Sequence, residues 1–334
     1  IGSGLVGSEM CIRDRCTAAS FKNKNTYFGR TLDYEFSYGE KVTITPRNYP
    51  FEFRHLGLNN NHYAIIGMAH IHNDYPMYYD AMNEYGLGMA GLNFVGNAKY
   101  NEVIEGKENV AQFEFISFIL STCKNVLEAK NKIKEIILVK TPYNEYYPAA
   151  KLHWILRDTN DCIIVEAMED GIHIYDNKTG SLTNNPPFNY QLENLKNYVS
   201  LNNDEPNKSF SFNEAFYSRG MGSVGLPGDL TSQGRFVRVV YTAHFSVASP
   251  DENSSVNQFF HILESVWQTR GLCKINDKYE ITIYASCMNL NEGIYYYKTY
   301  DNPQISAVYL KNENLNSSKL ISYDLAKESI FKQN

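Results

Sequence analysis

The 334-residue chain reads as an α+β protein, a four-layer αββα sandwich in which two antiparallel sheets lie between helix layers. Three observations predict it. Strand signals dominate the first hundred residues, amphipathic helical stretches occupy the centre, and strands return in the last third. The βαβα alternation that would build a parallel sheet is missing, so the strands are expected to pair with their neighbours while helices cover their outer faces.

The strand signals come first at 27–32, 42–44 and 63–69, each bounded by Gly, Asn or Pro. A helix is predicted over 110–136, where Phe113, Ile116, Leu120, Val126, Leu127 and Ile133 form one apolar face, with a break near Lys124. A meander follows at 152–156, 162–168 and 172–175, turning at Asp158-Thr159-Asn160-Asp161 and at Glu169-Asp170-Gly171. A second long helix is predicted over 256–269 on Val256, Phe259, Phe260, Leu263, Val266 and Trp267, with Gly271 as its stop. Strands are expected again at 280–287, 293–299 and 305–310.

No Pro/Ser/Gly-rich linker, low-complexity block or repeat divides the chain, so residues 16–334 are expected to form one domain. Residues 1–15 stand apart. They contain no Lys, Asn, Tyr or Phe, whereas the remainder holds all 26 Tyr. Their apolar run is too short for a signal peptide and no basic n-region precedes it. With Ile1 in first place, the segment reads as a non-native extension or a propeptide, and Cys11 within it as a decoy.

A net charge of -6 without a Lys/Arg cluster argues against nucleic acid and against an anionic membrane surface. No apolar run approaches the ~18 residues that a spanning helix requires. The six cysteines, at 11, 16, 123, 162, 273 and 287, make no CxxC pair and no regular framework, which reads as reduced thiols in a cytoplasm.

The chemistry concentrates around Cys16-Thr17-Ala18-Ala19-Ser20 and, fourteen residues on, Arg30-Thr31-Leu32-Asp33. A chain that begins at Cys16 would carry nucleophile and base on one residue. A thiol titrates near ~8.5 and a free α-amine near ~8, so the amine can take the thiol proton.

Singly, each feature has a plainer explanation. Cys16 could be a buried structural thiol, Arg30 and Asp33 a surface ion pair, and Asn93 and Asn184 turn residues. Gly220-Met221-Gly222-Ser223-Val224-Gly225 matches a dinucleotide pattern but runs into Leu226-Pro227-Gly228-Asp229, read as a type II turn, so nucleotide binding is rejected. His70 and His72 lack the further ligands of a metal site. His153 is the one candidate for a papain-like Cys-His pair, but its apolar strand favours a structural role.

Order and spacing together decide otherwise. Cys16-Thr17, Phe28-Gly29-Arg30-Thr31-Leu32-Asp33, the block from Met82-Asn83-Glu84-Tyr85-Gly86 to Gly91-Leu92-Asn93-Phe94, Leu182-Thr183-Asn184-Asn185-Pro186, Gly225-Leu226-Pro227-Gly228-Asp229 and Gly234-Arg235-Phe236 resemble the choloylglycine hydrolase family. The similarity extends through Leu152-His153-Trp154 and Gly293-Ile294-Tyr295-Tyr296-Tyr297. That family contains bile salt hydrolases and penicillin V acylases, amidases with the N-terminal-nucleophile fold.

The resemblance implies Cys16 as nucleophile with its α-amine as proton acceptor. Asp33 would hold the amine, Arg30 would keep the sulfur anionic, Asn93 and Asn184 would bind the oxyanion, and Arg235 would complete the polar network. It implies no cofactor, no metal, and a homotetramer acting on a conjugated bile salt. Penicillin acylases tend to carry Tyr where Asn93 stands, which tilts the expectation toward bile salts. Penicillin V or another N-acyl amide is the alternative substrate, and a binding protein with a blocked Cys16 the alternative function. Leu32, Phe36, His72, Met77, Tyr79, Leu138 and Tyr143 are expected to line the steroid cleft. The family's cysteine follows a removable Met, whereas Arg15 precedes Cys16 here, so the full chain is expected to be inactive until residues 1–15 are lost.

Overall fold

The computed structural model describes residues 15–204, 219–275 and 277–333. Thirteen strands build its two main sheets. They are β1 Arg15–Lys22, β2 Thr26–Tyr34, β3 Lys41–Thr45, β4 Ile65–His72, β5 Tyr75–Asn83, β6 Gly88–Asn93, β7 Leu152–Arg157, β8 Cys162–Met168, β9 Gly171–Asp176, β10 Ile281–Asn289, β11 Ile294–Thr299, β12 Ser306–Tyr309 and β13 Ile321–Asp324. The helices are α1 Phe115–Thr122, α2 Val126–Glu135, α3 Phe188–Leu195, α4 Ser232–Phe245 and α5 Glu252–Glu264.

The five-stranded sheet runs β1-β2-β10-β11-β12 and the eight-stranded sheet β9-β8-β7-β6-β5-β4-β3-β13. Neighbouring strands are antiparallel throughout, as expected for chain-adjacent pairing. Three apolar cores mark the gaps between layers. One packs α1 and α2 on the large sheet through Phe115, Ile119, Ile133 and Trp154; one lies between the sheets through Phe28, Leu32, Ile66, Met82, Leu92 and Tyr284. The third joins α4 and α5 to the small sheet through Ala19, Val239, Phe259, Leu263 and Ala285. This is the four-layer αββα sandwich. Each sheet has both faces covered, which is why β2 and β6 are buried along their whole length and show no apolar/polar alternation.

The helix expected over 110–136 starts later than expected, at Phe115, and breaks near Lys124 as expected. Asn109–Ala111 instead pairs in parallel with Ile137–Val139, and the chain turns extended at Cys123 before Asn125 caps α2 by accepting the Glu128 N–H. The helix expected over 256–269 is shifted. Asp251 caps it by accepting from Ser254 N, and Ser265 closes its far end. Val266 remains buried beyond that end, so the apolar period outruns the helix. The type II turn expected at Pro227-Gly228 does not form, because the positive φ of 95° belongs to Gly225 and Gly228 has none. The helix α4 was not legible, since buried Arg235 interrupts its apolar face.

Gly29 is a position of forced close approach. A Cβ there would stand 2.0 Å from the Ser286 carbonyl oxygen on β10, a backbone atom that cannot move without opening the sheet. Gly29→Ala is expected to cost at least about 3 kcal/mol, the upper end of ordinary overpacking. Chemical denaturation of variant and parent checks this, and an unchanged midpoint would refute the close approach.

Candidate active site

Strand alternation sorts the site into two faces. On β1, Cys16 and Ala18 point between the sheets whereas Ala19 points to the helices, and on β2 Leu32 joins the inner group. Register sets the neighbours: Cys16 lies opposite Leu32, Ala18 opposite Arg30, and Arg15 opposite Asp33. A bridge between Ala18 and Leu182, bonded both ways at 2.8 and 3.0 Å, brings Asn184 alongside β1.

On the inner face, the Arg30 guanidinium is almost fully buried and donates to Cys16 Sγ. Its other N–H groups go to the carbonyls of Thr31 (3.1 Å), Tyr79 (3.4 Å) and Gly91. Cys16 is likewise buried, at the floor of a cleft.

On the outer face, Arg235 enters from the first turn of α4, fully buried. It donates to Cys16 O (2.6 Å), Thr17 Oγ1 (2.6 Å), Leu230 O (3.2 Å) and Asn184 Oδ1 (2.8 Å). Because guanidinium can only donate, this last bond fixes which end of the Asn184 amide is oxygen. Asn184 Oδ1 also accepts the Cys16 N–H at 2.9 Å, and its Nδ2 donates to Asn93 O at 2.9 Å. The Asn93 side chain accepts from Val95 N at 3.1 Å and borders the cleft, and the Asn184 amide meets it at the Asn93 carbonyl.

Asp33 accepts from Thr282 Oγ1 at 2.6 Å and from Thr31 Oγ1 at 3.1 Å. Burial pushes its carboxyl up to about 6, with the positive charge of Arg235 opposing. The same burial lowers the Arg235 pKa, opposed by Asp33 and Cys16.

The cleft encloses about 1040 Å³ of empty space, part of it open to solvent. Of the expected lining residues, Leu32, Met77, Tyr79 and Tyr143 border it. Three others do not. Leu138 sits in the short strand paired with Asn109–Ala111, inside the helix-side core. Phe36 turns outward, 39% exposed, against Tyr34, Tyr38 and the Lys278 ammonium. His72 stands behind the wall, edge-on to the rings of Tyr143 and Tyr147.

The sequence reading missed Tyr38, His70, Phe113, Ile116, Tyr146, Tyr147 and Trp154, which also border the cleft. The cluster Tyr143, Tyr146 and Tyr147 in one loop was a usable signal, whereas nothing local marks Phe113 or Trp154.

The rejected motifs have structural explanations. His153 is fully buried, bonded to Glu166 (3.0 Å) and Thr183 O (2.8 Å) and stacked on Phe94. The glycine-rich stretch forms only the short turn of helix Met221–Ser223. His70 Nε2 bonds Tyr147 OH, and no cluster of three or more metal-ligating side chains occurs among the described residues.

Asp33 yields a pH prediction. Its folded pKa is raised, so the stability it contributes is present below about pH 4 and lost as pH rises through about 6. In the 334-residue chain the melting temperature of Asp33→Asn, relative to parent, is expected to rise from pH 4 to pH 8. The full change is bounded by about 3 kcal/mol. Thermal melts at pH 4, 6 and 8 check it; a difference independent of pH would contradict the assignment.

Comparison with known proteins bears on the whole network. The model of linear amide C–N hydrolases, choloylglycine hydrolase family, matches residues 16–323. A bile salt hydrolase/transferase of Lactiplantibacillus plantarum is 50% identical over 317 residues, covering 94% of this chain and 98% of the relative. One from Clostridium perfringens is 36% identical, with 92% and 96% covered. A crystal structure of a variant conjugated bile acid hydrolase from Clostridium perfringens superposes with a TM-score of 0.88 at 35% identity, covering 95% of this chain and 99% of that one. A penicillin V acylase from Agrobacterium tumefaciens shares the fold, with a TM-score of 0.75 at 19% identity over 93% of this chain and 92% of its own. The match runs from the buried cysteine through every member of its polar network, and the chain belongs to the choloylglycine hydrolase family of linear amide C–N hydrolases.

Proposed function

We propose that the chain, once it begins at Cys16, hydrolyses the amide bond of glycine- or taurine-conjugated bile salts. One observation carries the reading. The Cys16 sulfur faces an aromatic and aliphatic cleft under the Arg30 guanidinium, while the Cys16 nitrogen donates to Asn184 Oδ1, which Arg235 also holds, one register position from Asp33. Relatives at 50% and 36% identity carrying bile salt hydrolase/transferase names support the substrate class. The family description, cleavage of a linear amide C–N bond, supports the reaction class.

In the proposed mechanism the free α-amine of Cys16 takes the thiol proton, and the sulfur attacks the scissile carbonyl. The C–S bond forms as the carbonyl oxygen becomes an oxyanion. Asn93 and the second N–H of Asn184 Nδ2 donate to that oxygen. The oxyanion then collapses, the C–N bond breaks, and the α-ammonium gives its proton to the departing glycine or taurine nitrogen. Water adds to the thioester with the amine again as base, releasing bile acid and restoring the thiol.

As it stands the Cys16 nitrogen is an amide bonded to Arg15, and its lone pair, delocalised into the Arg15 carbonyl, does not accept a proton. Residues 1–15 therefore act as a propeptide or non-native extension on the single catalytic domain of 16–334. Among the described residues no helix is long and apolar enough to cross a membrane. A cytoplasmic homotetramer belongs to the same proposal.

The chain starting at Cys16 is expected to release glycine from glycocholate or taurine from taurocholate, whereas the 334-residue chain and the trimmed Cys16→Ser variant are not; amine release is measured for all three. Preference for penicillin V would move the substrate class, and a folded, inert trimmed chain would remove the amidase reading. In the trimmed chain Asn93→Ala is expected to lower kcat by about 10²–10³. Tyr143→Ala, which removes wall surface of the cleft and the hydroxyl's 2.9 Å bond to His72 O but no group bonded to Cys16, is expected to raise KM about tenfold with a smaller change in kcat. Steady-state kinetics separate these, and equal effects on KM from both would be inconsistent with the division of roles.

A further inference from the structure

Glu280 lies just before β10, two residues from Thr282, whose hydroxyl donates to Asp33. Register places Arg15, Asp33 and Thr282 side by side across β1, β2 and β10. Glu280 therefore opens onto the outer, polar side of the strand end at which the Cys16 nitrogen sits. Its carboxylate is fully buried. One oxygen, Oε2, stands 3.4 Å from Arg15 Nε and 3.5 Å from the Cys273 thiol. The other, Oε1, is buried with no hydrogen-bond partner among the described residues.

A buried carboxylate with one oxygen unsatisfied is costly, and losing its cation makes it costlier. The charged groups facing it are Arg15 from β1, Asp33 from β2 and Arg235 from α4. Arg235 is already committed to Cys16 O, Thr17, Leu230 and Asn184. Removing residues 1–15 takes Arg15 away and creates, at the same strand end, a new cation on the Cys16 nitrogen.

We propose that Glu280 is a positioning residue for this reaction. It holds the leader through Arg15 before trimming, and afterwards it is the second buried carboxylate, with Asp33, that accepts from the α-ammonium of Cys16. This rests on the reading that the active chain begins at Cys16. Two carboxylates around one ammonium favour its protonated form, which donates the proton to the leaving amine. The groups around that nitrogen are then Asp33, Glu280, Arg235 and Asn184 on the outer side, with the Cys16 sulfur and Arg30 on the inner side.

The test uses the trimmed chain with parent, Glu280→Gln and Glu280→Asp, each ¹⁵N-labelled at cysteine. The α-amino ¹⁵N resonance lies far from the amide signals and is titrated directly, and kcat/KM against pH is measured on glycocholate. Glu280→Gln, nearly isosteric, is expected to lower the α-amine pKa by one unit or more and to move the acid limb of kcat/KM with it, and Glu280→Asp to restore part of the shift. An α-amine pKa unchanged within 0.3 in folded Glu280→Gln would overturn the proposal. If the trimmed parent cleaves no amide, the hydrolase reading fails while the ¹⁵N titration still decides the role of Glu280.

Discussion

Two guanidinium groups buried at one strand end are the constraint from which this structure is organised. Arg30 and Arg235 are each at most 1% exposed. Desolvating such an ion costs several kcal/mol unless its N–H groups are satisfied. Arg30 is satisfied by carbonyls from both sheets, Thr31 on β2 and Tyr79 and Gly91 on β5 and β6. That requirement ties the sheets together at the cleft floor. Arg235 is satisfied by β1, by the segment carrying Asn184 and by the loop before its own helix. It therefore pins the helix layer to the same strand end.

Between these two cations, the pleat of β1 separates sulfur from nitrogen. The Cys16 side chain takes the inner face and meets substrate space, whereas its main-chain nitrogen points along the sheet to Asn184 at the strand edge and its carbonyl accepts from Arg235. In the proposed mechanism one residue is both nucleophile and base because its sulfur leaves the sheet by the inner face while its nitrogen stays in the sheet plane. Asn184 links the two sides, since its amide touches the Cys16 nitrogen, Arg235 and the Asn93 carbonyl. A second inter-sheet tie lies deeper, where buried Asp80 on β5 accepts from Tyr284 (2.6 Å) and Tyr295 (2.7 Å) of the small sheet. Burial raises the Asp80 pKa, opposed by the charge of Arg30. The polar interior is thus a network in which each charge limits the cost of the next.

The cleft wall is built differently, from aromatic contacts in place of ion pairs. Tyr143 packs edge-on to His72 and Phe113 at ring separations of 5.4 and 5.2 Å, and Arg54 stacks over both Phe113 and Tyr143. Loop 141–150 thereby rests on the 3-10 turn Gln112–Glu114 before α1 and on the end of β4 without belonging to either sheet. A wall of this kind offers apolar area with few hydrogen-bond demands, which suits a rigid hydrophobic face beside a single reactive amide.

The sequence by itself determined the layers and the residue types gathered at the candidate site. Apolar period and turn residues located most strands of both sheets, and the motifs holding Cys16, Arg30, Asp33, Asn93, Asn184 and Arg235 pointed to those residues through their resemblance to the choloylglycine hydrolase family. Such signals are local, or they are short motifs whose residue types are dictated by chemistry. Tertiary structure decided what depends on distant segments meeting. Helix α4 was hidden because its first turn buries an arginine, which breaks the apolar period by which a helix is recognised. Phe36 and Leu138 were placed in the cleft by their apolar character, but register sends one to the surface and the other into the helix-side core. Glu280 carries no motif, and its position opposite Arg15 exists only because β10 returns from the far end of the chain to lie beside β2. Spacing along the chain can report which groups are present, but only strand register and the burial it imposes decide which of them share a charge.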